Sequence, residues 1–260
     1  MSIQLPILAK GFGFVNKPTG ALSSRTMMLT ELRLLLAACP QSASLDEYRT
    51  AIIDENVLLK KTVATRKVSF RWLHDLYALD EKILLFRALR DLWDEDVQAQ
   101  PFLAMLSSVA RDPLLKSTAE SILAIPIGDT VTREMMTDAV NMSFPDRYSP
   151  KTLKSTGRNI ISSWQQAGLL SGKLHKVRVK AQSHPPSVAY ALLLSHLSGV
   201  RGEASFQTLW CRLLDTPVHI LHEQAFVASQ RGWIEYRHMG EITDISFRYL
   251  QRKQGKDYQL

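Results

Sequence analysis

Cysteine is scarce in this chain: only Cys39 and Cys211 occur among 260 residues, and 172 positions separate them. That separation is not a metal-binding spacing, so we expect two buried, reduced thiols in a cytoplasmic protein. A basic region followed by an apolar run is also missing from the first residues, MSIQLPILAKGFGF. We therefore expect no secretory signal.

Long hydrophobic runs are absent as well. The most apolar helix-like stretch, VAYALLLSHL, is interrupted by Ser195 and His196. It is much shorter than the roughly 18 to 20 residues that a bilayer requires, so we expect neither a membrane span nor a membrane partner. The composition, with 45% hydrophobic and 22% charged residues, is typical of a folded protein, and the length favours two or three small domains.

Motifs of the common enzyme classes are missing. The sequence contains no Walker-type loop, nucleophile elbow or CxxC pair, and GFGF at Gly11 and Gly13 lacks the third glycine of a dinucleotide-binding turn. His219, His222 and Glu223 have neither the order nor the spacing of zinc hydrolase ligands, and the sequence suggests no third ligand. We therefore predict a protein that is not an enzyme and has no cofactor and no metal.

Acidic residues are absent from one segment, residues 147–180. Eight of the 32 Lys and Arg residues lie there with none of the 25 Asp and Glu, so the rest of the chain has a net charge of −1. A compact segment of one sign attracts a polyanion such as a nucleic acid. The alternative is a solvated face without a ligand, but surface helices normally mix both signs because uncompensated charge repels itself.

Helix periodicity dominates the first part of the chain. Ser24 is expected to cap a helix that Pro40 ends, and further apolar stripes at helical spacing follow one another. No alternation of the strand type competes with them. We therefore predict a mainly α protein whose residues 1–125 form an N-terminal helical bundle.

Residues 126–182 show a different pattern. A short helix and a turn precede a longer helix from Pro150 to Ala167, with Ser149 at its N-cap. KLHKVRVKA then alternates like a strand, which predicts Val177 and Val179 on one face. The opposite face of that strand would carry Lys176, Arg178 and Lys180, and the buried stripe of the helix would be Leu153, Gly157, Ile160, Ile161 and Trp164.

This order predicts a basic winged helix-turn-helix module that binds double-stranded DNA mainly through phosphates. In that arrangement the second helix enters the major groove and the adjacent strand pair lies along the phosphates. Lys151, Lys154 and Arg158 would reach phosphates or guanine edges, while Asn159 would address adenine. The predicted DNA-binding residues are Arg147, Ser149, Lys151, Thr152, Lys154, Ser155, Arg158, Asn159, Lys173, Lys176, Arg178 and Lys180.

Residues 183–260 predict a second winged-helix-like module. An apolar helix, two further helices and a hairpin around Gly240 follow one another, and residues 181–260 carry eight basic and seven acidic groups. Because phosphate neutralisation supplies most of the affinity for DNA, this balance favours a structural or protein-docking role. The reverse assignment would place DNA on His219, His222, Gln224 and Arg237.

Several segments together resemble the BrxA family of bacteriophage-exclusion (BREX) systems. They are KGFGF, SSRTMMLTELRLLL, NVLLKKTVATRK with Asn56, Leu58, Thr65 and Arg66, FRALRDLWDED, and TLKSTGRNIISSWQQAGLL. The resemblance spans roughly residues 8–180 and implies a small, helical, non-enzymatic DNA-binding component. Such a component acts beside a methyltransferase, an ATPase and other defence proteins in a bacterial cytoplasm. The module after residue 181 is longer than the family implies.

Two other functions fit the same sequence. A transcription regulator would use the winged helix equally well, although the chain shows no dimerisation heptad. An assembly subunit would instead bind an acidic protein through the basic segment. RNA is a weaker alternative, because the basic segment has few aromatic residues for base stacking.

Overall fold

The computed structural model describes residues 9–17, 20–240 and 242–252. This part of the chain is mainly helical and contains two small antiparallel sheets. Both cysteines are free and buried, as predicted. No helix among these residues combines the length and the apolar character needed to cross a bilayer.

The regular secondary structure of the N-terminal part is helical, and no strand occurs among its described residues between 9 and 125, as predicted. Leucines at helical spacing fill its core; Leu32, Leu85 and Leu103, for example, have no exposed surface. A short 3₁₀ helix, Ala21–Ser23, precedes α2. The helices are α1 (Ala9–Phe12), α2 (Leu29–Ala38), α3 (Leu45–Ile53), α4 (Val63–Tyr77), α5 (Leu84–Trp93), α6 (Gln100–Arg111), α7 (Pro113–Ser117) and α8 (Ala119–Ala124).

The prediction that Ser24 caps the first long helix is wrong, because α2 begins at Leu29. The Met27 N–H donates to Ser163 Oγ at 2.9 Å, and the Leu29 N–H donates to Gln166 Oε1 at 3.1 Å. The Tyr77 hydroxyl also donates to the Met27 carbonyl. These tertiary hydrogen bonds hold the chain before Leu29 out of a helix.

The segment after α8 contains the three-stranded sheet. Its elements are β1 (Thr130–Val131), α9 (Arg133–Ser143), α10 (Pro150–Gln166), β2 (Leu170–Ser171) and β3 (Lys176–Arg178). Strand β3 lies between β1 and β2 and is antiparallel to both, with Thr130 opposite Val177 and Leu170 opposite Arg178.

The predicted start and buried side of α10 are confirmed. The Ser149 hydroxyl accepts a hydrogen bond from the Thr152 N–H at 3.2 Å, and Pro150 is the first helical residue. Gly157, Ile160, Ile161 and Trp164 are buried, and Leu153 packs half-buried against the core. The glycine has a specific role: a Cβ there would lie 2.6 Å from Thr137 Cγ2 and 3.2 Å from the Arg133 carbonyl oxygen of α9.

Gly157→Ala is expected to lower the free energy of unfolding by roughly 1 to 2 kcal/mol, because the added methyl group forces α9 and α10 apart. This is the net loss that remains after the gain of about 1 kcal/mol that alanine, in place of glycine, brings to a helix interior. Urea denaturation followed by circular dichroism measures it. Lys154→Ala, at an exposed position of the same helix, is the control and should leave stability nearly unchanged; a stabilised Gly157→Ala protein would contradict the close helix contact.

The C-terminal part packs onto the N-terminal helices through α11 (Pro185–Leu197), which is buried almost all round, as its sequence predicts. Helix α11 contacts α5 and α6, and the Tyr190 hydroxyl donates to the Leu85 carbonyl at 3.0 Å. A 3₁₀ helix, α12, α13 and a hairpin of two strands follow. Their bounds are Gly202–Gln207, Leu209–Arg212 for α12, Val218–Gln230 for α13, Glu235–Met239 for β4 and Ile242–Ser246 for β5.

The core is continuous from Phe14 to Leu250. The Phe14 and Trp210 rings, for example, lie 5.7 Å apart. Packing therefore crosses the positions near residues 125 and 182 at which the sequence predicts domain boundaries, and these boundaries remain predictions. A fragment ending at residue 182 would expose the surfaces of α5 and α6 that α11 covers, so point substitutions are the better tests of function.

Candidate nucleic-acid interface

Helix α10 presents three sides with different surroundings. The first is the buried stripe that packs against α9 and the core. The second side is polar and is hydrogen-bonded to the chain between residues 22 and 29. The third side is exposed and carries Lys151, Lys154 and Arg158. The sequence separates the apolar side from the polar ones, but it does not separate the two polar sides.

The polar side bonded to the N-terminal part includes two residues that the sequence assigns to DNA. Asn159 Nδ2 donates to the Leu22 carbonyl at 2.9 Å. Ser155 Oγ lies 2.8 Å from the Thr152 carbonyl oxygen and 3.3 Å from that of Ser23. Both side chains are half-buried. Their contacts are internal, which corrects the prediction that Asn159 reads adenine and that Ser155 faces a DNA groove.

The prediction that Arg178 contacts DNA also needs correction, because its side chain points inward. It is 1% exposed and forms an ion pair with Asp215, with 2.8 Å between Nη2 and Oδ2. Its other nitrogens donate to the carbonyls of Ile122, Leu169 and Val179. Val177 and Val179, predicted together on one face of the strand, are both half-buried. A guanidinium in this position stabilises the fold and does not reach a phosphate.

The basic side of α10, which we define as Lys151, Lys154 and Arg158, keeps its charges exposed. The three residues follow at i, i+3 and i+7 and therefore share one side of the helix. Within the described part of the chain none of them forms an ion pair. No acidic residue lies in the first turn of α10. The basic side is therefore uncompensated by neighbouring carboxylates.

The position of Lys151 strengthens this field. It lies in the first turn of α10, where the helix dipole is positive and where acidic side chains are normally favoured. A cation there costs roughly 0.3 to 1 kcal/mol without an anion to relieve it, and Lys154 lies one turn further along the same side. An anion at this end would interact favourably with both ammonium groups and with the helix terminus.

The hairpin between β2 and β3 extends the basic surface. An open groove of about 440 Å³ separates it from α10, and Arg158, His175 and Lys176 are among its lining residues. Glu134 also lines the groove, but it is paired with Arg133 at 2.8 Å. The groove therefore brings side chains from α10 and the hairpin to one surface although 18 positions separate Arg158 from Lys176.

The remaining predicted residues lie at the edges of this surface. Arg147, Lys173 and Lys180 are exposed. Lys176 is half-buried, and its ammonium donates to the Gly172 carbonyl within the hairpin. The Ser149 and Thr152 hydroxyls lie 3.0 Å apart and are engaged in capping α10.

One basic residue near this surface has no signal in the local sequence. Arg25 is exposed and lies two positions after Ser23, whose carbonyl contacts Ser155 on α10. More than a hundred positions separate Arg25 from α10 in the chain. Only the folding of residues 20–29 along α10 brings it near, so no charge count over a window would find it.

The side chains of Glu203, His222 and His238 form a second cluster, far from residues 147–180 in the sequence. In the sequence His222 lies close to His219 and Glu223, a grouping that suggests no third ligand. In the structure Glu203 and His238 lie beside His222, while His219 and Glu223 are exposed on α13.

Comparison of the sequence with known protein families finds no matching family, and comparison with curated proteins finds no similar protein.

Proposed function

We propose that the protein is a non-enzymatic double-stranded DNA-binding protein that uses α10 and the β2–β3 hairpin as a winged helix. The order β1, α9, α10, β2, β3, with β3 in the middle of the sheet, agrees with a winged helix-turn-helix. The observation that carries the proposal is the uncompensated basic side of α10, which begins in the first turn, at the positive end of the helix.

Phosphate contact explains this arrangement best. A protein that neutralises phosphates with Lys and Arg releases condensed counterions, and this release supplies most of the affinity of binding without sequence preference. Lys151, Lys154 and Arg158 would supply the central contacts, with Lys173 and Lys180 at the edge and Arg25 on the other flank. Because Asn159 donates to Leu22, the helix offers few side chains for reading bases. We therefore propose modest or no sequence preference.

The biological setting is proposed from the sequence alone. The segments that resemble the BrxA family support a role as a DNA-binding component of a bacterial anti-phage defence system, beside other defence proteins in the cytoplasm. The C-terminal part has almost balanced charge and a buried helix shared with α5 and α6. It would support the fold or contact a protein partner.

The Lys154→Ala/Arg158→Ala double variant is expected to bind duplex DNA roughly tenfold more weakly or worse, irrespective of sequence. Losing two phosphate contacts should also lower the slope of log affinity against log salt by about two. Fluorescence anisotropy with duplex DNA, single-stranded DNA and RNA at several salt concentrations measures both quantities.

The matched control is Lys61→Ala/Lys67→Ala, which removes the same charge from exposed positions near and on α4. If this control loses as much affinity as the α10 double variant, binding reflects the general charge of the protein. A folded α10 double variant with unaltered affinity and slope would show that the basic side of α10 is not the DNA site. Tighter binding to an acidic protein than to any nucleic acid would favour the assembly role.

A further inference from the structure

We propose that Glu203, His222 and His238 form a binding site for a divalent transition metal ion, with zinc as the ion that best suits the ligands. One ligand atom from each side chain lies within 4.8 Å of those of the other two. Two imidazoles and one carboxylate are a frequent protein ligand set for zinc and related ions. This inference concerns a different part of the molecule from the DNA proposal and does not depend on it.

The fold brings the three residues together from three elements. Glu203 lies in the 3₁₀ helix Gly202–Gln207, His222 on α13 and His238 on β4. Gly202 has a φ of +60°, and a Cβ there would lie 3.2 Å from the Thr243 carbonyl oxygen. A glycine at this position therefore lets the 3₁₀ helix approach β5 closely enough to hold Glu203 beside the two histidines.

One pair of ligand atoms already has the spacing expected around a bound ion. His222 Nε2 lies 3.1 Å from Glu203 Oε1. Two ligands about 2.0 to 2.1 Å from a tetrahedral zinc ion are themselves about 3.3 Å apart. His238 is exposed on the hairpin, and its ring lies 4.7 Å from the His222 ring, measured between centroids. The solvent side leaves a fourth coordination position open to water.

Each ligand side chain is oriented by a hydrogen bond to an atom other than its proposed ligand atom, as is usual in metal sites. Tyr236 OH lies 2.5 Å from His222 Nδ1, so Nε2 is the nitrogen that faces Glu203. The Thr243 hydroxyl donates to Glu203 Oε2 at 2.6 Å. Since its single hydrogen is used there, the 2.9 Å contact with His238 Nδ1 requires that this nitrogen is the donor. The Nε2 atom of His238 then carries the lone pair that a metal needs.

The pairing register of β4 and β5 and a stacked aromatic ring hold these hydrogen-bonding residues in place. His238 lies opposite Thr243 in the β4–β5 ladder, and Tyr236, two positions earlier, shares its side of the strand. The Phe206 ring stacks on His222 with 4.1 Å between centroids.

An ion at this site would bond the hairpin to α13 and to the 3₁₀ helix. The alternative is that the same side chains form only a hydrogen-bonded cluster that holds the hairpin without an ion. The two differ in a measurable way. A metal site binds one equivalent of ion through Glu203 and both histidines, whereas a hydrogen-bonded cluster has no saturable affinity for a metal.

The test uses the full chain, freed of metal by a chelator and dialysed, and titrated with zinc chloride in a calorimeter. The expected result is one zinc ion per chain and a higher melting temperature with zinc. Cobalt(II) in place of zinc should give the visible absorption of a tetrahedral site. Thr243→Val, which removes an orienting hydroxyl, is expected to weaken zinc binding by roughly 10- to 100-fold.

Glu203→Gln and His238→Ala are expected to weaken binding more than Thr243→Val does. Both positions are exposed, so these variants should fold, and the nearly isosteric Glu203→Gln remains informative if His238→Ala does not. The matched control is His219→Ala, which removes an exposed histidine from the same helix as His222 and should keep full affinity. Absence of saturable binding, or binding unaffected by Glu203→Gln and His238→Ala, would overturn the proposal; so would loss of binding in the His219→Ala control.

Discussion

Replacing Arg178 with alanine is expected to lower the free energy of unfolding by roughly 3 to 5 kcal/mol, the usual cost of removing one partner of a buried ion pair. Arg178 is 1% exposed, and Asp215 lies 2.8 Å away in a position that is itself mostly covered. The substitution leaves the Asp215 carboxylate without its cation. It also removes the donors to the Ile122 and Leu169 carbonyls.

Chemical denaturation followed by circular dichroism measures this loss. Lys180→Ala, two positions further along the chain, is the control, and its effect should stay within about 0.5 kcal/mol because this residue is exposed. The double variant Arg178→Met/Asp215→Leu is expected to recover part of the stability, since it removes both buried charges together. An Arg178→Ala protein with full stability and weakened DNA binding would return this residue to the DNA surface.

Arg178 also joins parts of the molecule that are distant in the sequence. Its partners come from the end of α8, from the residue before β2 and from the loop before α13. A second ion pair, between Arg212 and Glu120, joins the same regions at 2.5 Å but is exposed on both sides. We expect little from the exposed pair, because solvent screens it. The buried arginine is the more important link between the three-stranded sheet and the C-terminal part.

Local sequence patterns predict most of the helices, because each amphipathic stripe reports which side of one helix meets the core. The stripe of α10, its cap at Ser149 and the β4–β5 hairpin around Gly240 are all of this kind. The start of α2, in contrast, is not predicted by the local pattern. Ser24 has the right chemistry for a cap, yet Ser163 and Gln166 of α10 bind the backbone at Met27 and Leu29. Distant hydrogen bonds override the local preference.

The candidate DNA site also combines a feature that the local sequence shows with features that it does not show. Charge counting located the segment, because the absence of acids from residues 147–180 needs no three-dimensional information. It could not show which polar residues face outward. Asn159 and Arg178 find their partners at Leu22 and Asp215, and nothing in a local window marks those positions. Alternation along β3 predicts Arg178 on the face opposite the two valines, but it does not show that the arginine is buried while the valines are half-buried.

The proposed metal site shows most clearly what local sequence cannot predict. Metal motifs are usually recognised by short spacings, so the sequence groups His222 with its neighbours on α13. Its partners in the structure, Glu203 and His238, lie 19 positions before and 16 positions after it. They meet through the hairpin register and the close approach at Gly202. Both features depend on the tertiary structure, so the sequence alone shows the histidines but not that they lie beside Glu203.

Replacing Asp112 with alanine is the second substitution expected to have a large effect, with a loss of roughly 2 to 4 kcal/mol of unfolding free energy at pH 5. Asp112 is 1% exposed and caps α7, where Oδ1 accepts from the Leu114 N–H at 2.9 Å. Its Oδ2 accepts from the Leu22 N–H at 3.0 Å. A Cβ at Gly20 would lie 2.3 Å from Oδ1, so the chain passes against this carboxylate without a side chain.

These contacts connect Asp112 to the candidate DNA site. The carboxylate holds the 3₁₀ helix Ala21–Ser23, and Asn159 of α10 donates to the Leu22 carbonyl in that helix. Losing Asp112 would leave buried N–H groups without an acceptor on α7 and at Leu22. The loss of stability should therefore be accompanied by faster amide hydrogen exchange at residues 21–23, which hydrogen exchange with mass spectrometry would detect.

The effect of Asp112 on stability also depends on pH. Burial raises the pKa of this carboxyl to about 6, although backbone N–H donors act in the opposite direction. Between the unfolded value near 4 and about 6, the folded protein keeps a proton that the unfolded chain has lost, so this group makes stability fall as pH rises. The stability difference between the native protein and Asp112→Ala should therefore narrow by about 1 kcal/mol from pH 5 to pH 7. Asp138→Ala, at an exposed aspartate of α9, should show neither the loss nor the narrowing; a difference that widens with pH would mean that Asp112 is stabilised in its ionised form.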